Sequence, residues 1–111
     1  MKRRYNQLPQ VAFSILLALS LKPRHGYEIM KQVAEDSNGK IRLAPGALYT
    51  SIKLLYEQGL VDEIKDQLDT RRRYYQLTDK GRAALNAELS YYETTVALAK
   101  TRKVYEAVGM I

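Results

Sequence analysis

Arg71-Arg72-Arg73, followed by Tyr74-Tyr75, are the residues best equipped for chemistry in this chain of 111 residues. Guanidinium groups present forked donors that match phosphate and carboxylate oxygens. A hairpin solubilised by mixed charge does not account for the triplet, because exposed ion pairs contribute only ~0–1 kcal/mol. A grip on phosphate does, since it uses both charge density and donors. Neighbouring side chains on a strand point to opposite faces, so one or two of the three are expected to meet a single partner. Asp66 and Asp69 are near enough in sequence to neutralise part of the charge.

A second set lies in "APGALYTSIKLLYEQGLV". Pro45 suits the first turn of a helix, where its missing N–H costs nothing. Gly46 would let the backbone approach a phosphate, and helix N-terminal N–H groups attract anions. Leu48, Ile52 and Leu55, at i, i+4 and i+7, predict a buried stripe. Tyr49, Thr50 and Lys53 fall on the other face, where lysine and threonine can reach phosphates or base edges. Taken alone these three residues read as an ordinary solvated face; coupled to the proline-glycine start, a contact surface becomes the alternative reading. His25 is the only histidine, with no cysteine or clustered carboxylates nearby, so it reads as a turn residue rather than a ligand or base. No Ser-His-Asp set, phosphate-cradling glycine loop or paired-carboxylate arrangement is present, which argues against an enzyme and implies no cofactor and no metal.

The bulk composition agrees with an anionic partner. Lys and Arg outnumber Asp and Glu by 18 to 12, a formal net charge of +6. Apolar residues at 46% and charged residues at 27% are globular values. The lack of cysteine fits a cytoplasmic location. Lys2, Arg3 and Arg4 before "VAFSILLALSL" imitate a signal peptide, but "KPRHG" follows in place of small residues, and the run is far short of the ~20 residues that cross a bilayer. A buried helix and no membrane association are expected.

The elements that must position these residues follow from periodicity and punctuation. Helix one is expected from about Pro9 to Leu21, ending before Pro23. Helix two runs from Gly26-Tyr27 to a left-handed exit at Asn38-Gly39, with Ile29, Met30, Val33 and Ala34 as its stripe. Helix three starts at Pro45 and closes at Gly59. Strands at 60–66 and 71–77 flank the turn "QLDT", with Tyr75 and Leu77 inward and Arg72, Tyr74 and Gln76 outward. Thr78 caps a last helix that could reach Val108, roughly 40 Å at 1.5 Å per residue. Its apolar positions Leu85, Leu89, Tyr92, Val96 and Ala99 are spaced 4, 3, 4, 3, a heptad-like seam. An exposed stripe of that length is a liability in a monomer and predicts a homodimer. The fold class is mainly α with a small β-hairpin. Residues 1–78 form a winged helix-turn-helix domain, and 79–111 a C-terminal dimerisation helix.

"HGYEI", "APGALYTSIKLLYEQGLV" and "RRRYYQLTDKG", in that order and spacing, resemble the PadR family of bacterial transcriptional regulators over about residues 9–82. The single C-terminal helix is similar to the small subgroup of that family. The resemblance implies a homodimer on double-stranded DNA, with an inverted-repeat operator. It further implies a repressor released by a small apolar or aromatic effector. In some small members an interface tryptophan stacks on flat apolar drugs, whereas this chain has no tryptophan. The implied DNA contacts are Pro45, Gly46, Tyr49, Thr50 and Lys53 from helix three, and Arg71, Arg72 and Arg73 from the wing. Two rival readings stay open, a winged-helix protein-interaction module and a non-specific architectural DNA-binding protein.

Overall fold

A computed structural model describes residues 8–65 and 71–104. The chain order is α1 (Gln10–Ala18), β1 (Arg24–His25), α2 (Gly26–Asp36), α3 (Pro45–Glu57), β2 (Val61–Lys65), β3 (Arg73–Leu77) and α4 (Asp79–Thr101). The expected basic N-terminus, the "QLDT" turn with Asp66 and Asp69, and the C-terminal residues 105–111 lie outside the described residues.

Helix α1 is buried on most of its circumference. Ile15, Leu16, Ala18 and Leu19 are inaccessible, and Val11, Ala12, Phe13 and Leu17 pack around them. It stops at Ala18, short of the expected end at Leu21, because side chains take over its last carbonyls. Ser20 Oγ donates to the Leu17 carbonyl at 2.7 Å and Arg24 Nε to that of Ala18 at 2.7 Å. These are the orphan acceptors that every helix end must satisfy. Leu21 is left exposed. Ile29 and Val33 of α2, with Leu48, Ile52 and Leu55 of α3, complete the core. The left-handed exit of α2 is present at Asn38 and Gly39, with φ of 54° and 79°.

The hairpin is larger than expected. β1 joins it to make a three-stranded antiparallel sheet in the order β1-β3-β2, pairing Arg24 with Tyr75 and His25 with Tyr74. Two residues carry no periodicity, so nothing in the sequence marks such a strand. β2 and β3 pair Val61 with Leu77, Glu63 with Tyr75 and Lys65 with Arg73. Tyr75 is buried and Leu77 packs on the core, as alternation predicted.

A tight joint links α3, the sheet and α4. Thr78 Oγ1 donates to the Gly59 carbonyl at 2.6 Å and accepts the Gly81 N–H at 2.9 Å. Lys80 Nζ donates to the Gln58 carbonyl at 3.0 Å. Gly81 lies so close to Leu60 that a Cβ would overlap its carbonyl oxygen. Leu85 then inserts into the core, and beyond Glu88 no described residue of α4 is buried. Glu88 itself accepts from the Leu8 N–H at 3.3 Å and the Tyr92 hydroxyl at 2.9 Å. Helix α4 ends at Thr101 rather than near Val108. Lys103 adopts φ of 59°, and the Val104 N–H returns to the Ala99 carbonyl. At 23 residues α4 is about 35 Å long. A lysine in the glycine position of a helix exit gives no warning in sequence.

Candidate nucleic-acid interface

Helix α3 presents its first turn bare. Ala44, at the N-cap, supplies no side-chain bond, Pro45 occupies the first helical position, and both Pro45 and Gly46 are exposed. A Cβ at Gly46 would meet nothing within 4 Å. No packing demand explains glycine there, which leaves room for an external group at the amide end of the helix.

One turn on, Thr50 and Lys53 are exposed, while Leu48, Ile52 and Leu55 point into the core. Tyr49 divides its role. It is half exposed, yet its hydroxyl end lies over Gly26, whose missing Cβ makes the space. Lys53 and Tyr56 flank a groove that runs from α3 to Glu63 and Tyr75 of the sheet. Burial pushes the Tyr75 hydroxyl above the ordinary tyrosine range. The charges of Glu63 and Tyr49 act the same way, while Arg73 opposes them.

The wing arginines stand beside this face. Arg71, Arg72 and Arg73 share an open cleft of about 700 Å³ with His25, Gly26, Tyr27, Tyr49 and Tyr75. Arg73 is engaged from within the sheet, its Nη1 donating to both carboxylate oxygens of Glu63 at 3.1 and 2.9 Å. That partner lies diagonally across the ladder, where same-face side chains meet. Arg71 and Arg72 are exposed. Tyr49 of α3 therefore shares one cleft with the wing arginines, and Lys53 lines the adjoining groove.

Sequence reasoning missed three features of this surface. His25 is more than a turn residue: its Nδ1 accepts the Glu28 N–H at 3.3 Å, and its own N–H donates to Glu28 Oε1 at 3.1 Å, a capping box for α2. Tyr27 is largely exposed on the first turn of α2. Arg42, whose guanidinium lies over Gly39, adds a cation just before α3. The "HGYEI" string carried the signal for the first two. Among the described residues, no cluster of three His, Asp or Glu could hold a metal, and no helix is long and apolar enough to cross a membrane.

Residues 15–87 match the model of the transcriptional regulator PadR-like family. The chain belongs to the PadR-like family. It is a DNA-binding transcriptional regulator with a winged helix-turn-helix fold and a C-terminal helix. A PadR family transcription regulator from Clostridium difficile superposes with a TM-score of 0.72 at 24% identity, covering 84% of this chain and 97% of its own. RosR of H. salinarum gives a TM-score of 0.68 at 27% identity, covering 79% and 76% of the two chains. An uncharacterised protein of Lysinibacillus sphaericus is 29% identical over 76 residues, 66% of this chain and 70% of its own.

Of the expected dimer seam, Leu85 is absorbed into the protomer's own core. It packs inward because α4 lies against the domain for its first turns. Leu89, Tyr92 and Val96 remain substantially exposed, and Ala99 is partly so. Tyr92 also stacks edge-on against Phe13 of α1, with ring centroids 5.4 Å apart.

Proposed function

We propose that this PadR-family regulator is a homodimeric repressor whose α3 enters the major groove while the wing grips flanking phosphates. The observation that carries the reading is that Tyr49 of α3 shares one cleft with the three wing arginines, while Lys53 lines the adjoining groove. Thr50 and Lys53 are the base-reading candidates, with Tyr49 steering from the edge. Pro45 and Gly46 bring the helix amide end to the backbone. Arg71 and Arg72 supply the wing's grip, and Arg73 acts mainly within the wing through Glu63.

Dimerisation through α4 is supported by the seam residues beyond the last buried position, Glu88, where Leu89, Tyr92 and Val96 stand exposed. Residues 1–78 would then form the reading domain and 79–111 the dimerisation segment. A small apolar effector would release the repressor. An open groove of about 800 Å³ between α1, α3 and α4, walled by Val11, Leu54 and Ala84, is where such a molecule would touch α3 directly.

Selection of genomic fragments by the purified protein tests the reading. Recovery of an inverted repeat is expected. Binding should weaken with salt at a slope of about −0.9 per phosphate neutralised, with roughly 4 to 8 phosphates per dimer. Fragments recovered without sequence preference would indicate an architectural protein, and a flat salt response would indicate a protein-interaction module.

A further inference from the structure

We propose that His25 is a positioning residue whose imidazole, seated between Tyr27 and Tyr74, sets the angle at which the wing meets DNA. The inference rests on the reading of the wing as a phosphate grip.

Three ties meet at this residue. Its backbone pairs with Tyr74 across β1 and β3. Its Nδ1 and N–H make the reciprocal cap with Glu28 at the start of α2. Its ring lies 5.5 Å from that of Tyr74, inclined at 72°, and 6.5 Å from that of Tyr27, nearly parallel at 29°. The adjoining Arg24 holds the strand to the end of α1 through the Ala18 carbonyl, so the platform beneath the ring is fixed.

The cap alone does not require histidine. Asn, Asp or Ser accept the same N–H at least as well. What histidine adds is a ring long enough to reach the wing from a capped, and therefore immobile, position. Tyr74 directly follows the arginine triplet, so the tilt of its strand decides where Arg71 and Arg72 point. The cap anchors the ring, and the ring braces the wing.

The test measures anisotropy of a fluorescent random-sequence duplex of about 20 base pairs over a series of salt concentrations, a probe that reports phosphate contacts rather than base reading. His25→Asn retains the cap and should melt near the parent. It should bind more weakly, with a salt slope shallower by about 0.9 for each phosphate that the wing no longer neutralises. Tyr74→Ala, which leaves the cap untouched, should do the same. His25→Asn combined with Arg72→Ala should weaken binding by less than the sum of the two, because both act on one grip. If His25→Asn and Tyr74→Ala keep the parent affinity and slope while Arg72→Ala weakens binding, the inference is overturned and the wing reading stands. If Arg72→Ala also binds like the parent, the wing reading falls and the inference with it. Should His25→Asn lose stability, Tyr74→Ala decides alone: a shallower slope supports the brace and an unchanged slope overturns it.

Discussion

At the scale of single residues, the two halves of the interface should fail differently. Lys53→Ala should lower preference for the operator over random DNA by about 1–3 kcal/mol if the lysine reads a base. Arg72→Ala should weaken both DNAs alike and flatten the salt response. Competition binding across two salt concentrations separates these outcomes, and reversed behaviour would exchange the two roles. Tyr75 permits a pH test. Burial raises its hydroxyl above the ordinary value of 10.0, so the folded chain keeps a proton that the unfolded chain loses. Stability is therefore present below that value and declines as pH climbs through it and beyond. Thermal melts between about pH 9 and pH 11 should fall more steeply for the parent than for Tyr75→Phe. Equal slopes would mean that Tyr75 is not the group responsible. The inward tyrosine was legible in sequence because strand alternation placed it beside Leu77. The divided role of Tyr49 was not, because it depends on space left by Gly26, a residue of the preceding helix that only the fold brings near.

Two glycines on helices make opposite predictions at the scale of elements. Alanine is the better helix former by up to about 1 kcal/mol, and Gly46 faces open space. Gly46→Ala should therefore raise the melting temperature while reducing DNA affinity. At Gly81 the same methyl would strike the Leu60 carbonyl, a backbone atom that cannot swing away. Overpacking there should cost about 1–3 kcal/mol, more than the helical gain. Chemical denaturation of both variants checks the pair, and a stabilised Gly81→Ala would contradict the joint described. The helices themselves were readable because apolar stripes, Pro45, Thr78 and the Asn38-Gly39 exit all act locally. Two helix ends and one strand were not. α1 ends where Arg24 reaches back to Ala18, α4 ends through a left-handed lysine, and β1 exists only because β3 is beside it.

For the whole molecule, the sharpest test concerns association. Tyr92→Glu would confound it, because Tyr92 also packs on Phe13 and donates to the buried Glu88. Val96 stands farther along the exposed half of α4. Val96→Glu would bring two like charges near a two-fold axis if the seam is the interface, at a cost of several kcal/mol. Sedimentation should show a folded monomer, and operator binding should weaken by orders of magnitude because one half-site is lost. An unchanged dimer with parent affinity would remove the seam from the interface. If the seam is the interface, two α3 helices entering successive major grooves would require half-site centres about 10–10.5 base pairs apart or a multiple of that.

The joint around Thr78 gives α4 the mechanics of a lever. One hydroxyl clamps the exit of α3 to the entry of α4, Lys80 doubles the clamp, and Gly81 lets the two backbones touch. Such a connection has little slack to absorb rotation. A twist applied near Ala99 would then reach α3 through this joint, so substitutions at the far end of the arm are expected to change DNA affinity, as binding titrations of such variants would show.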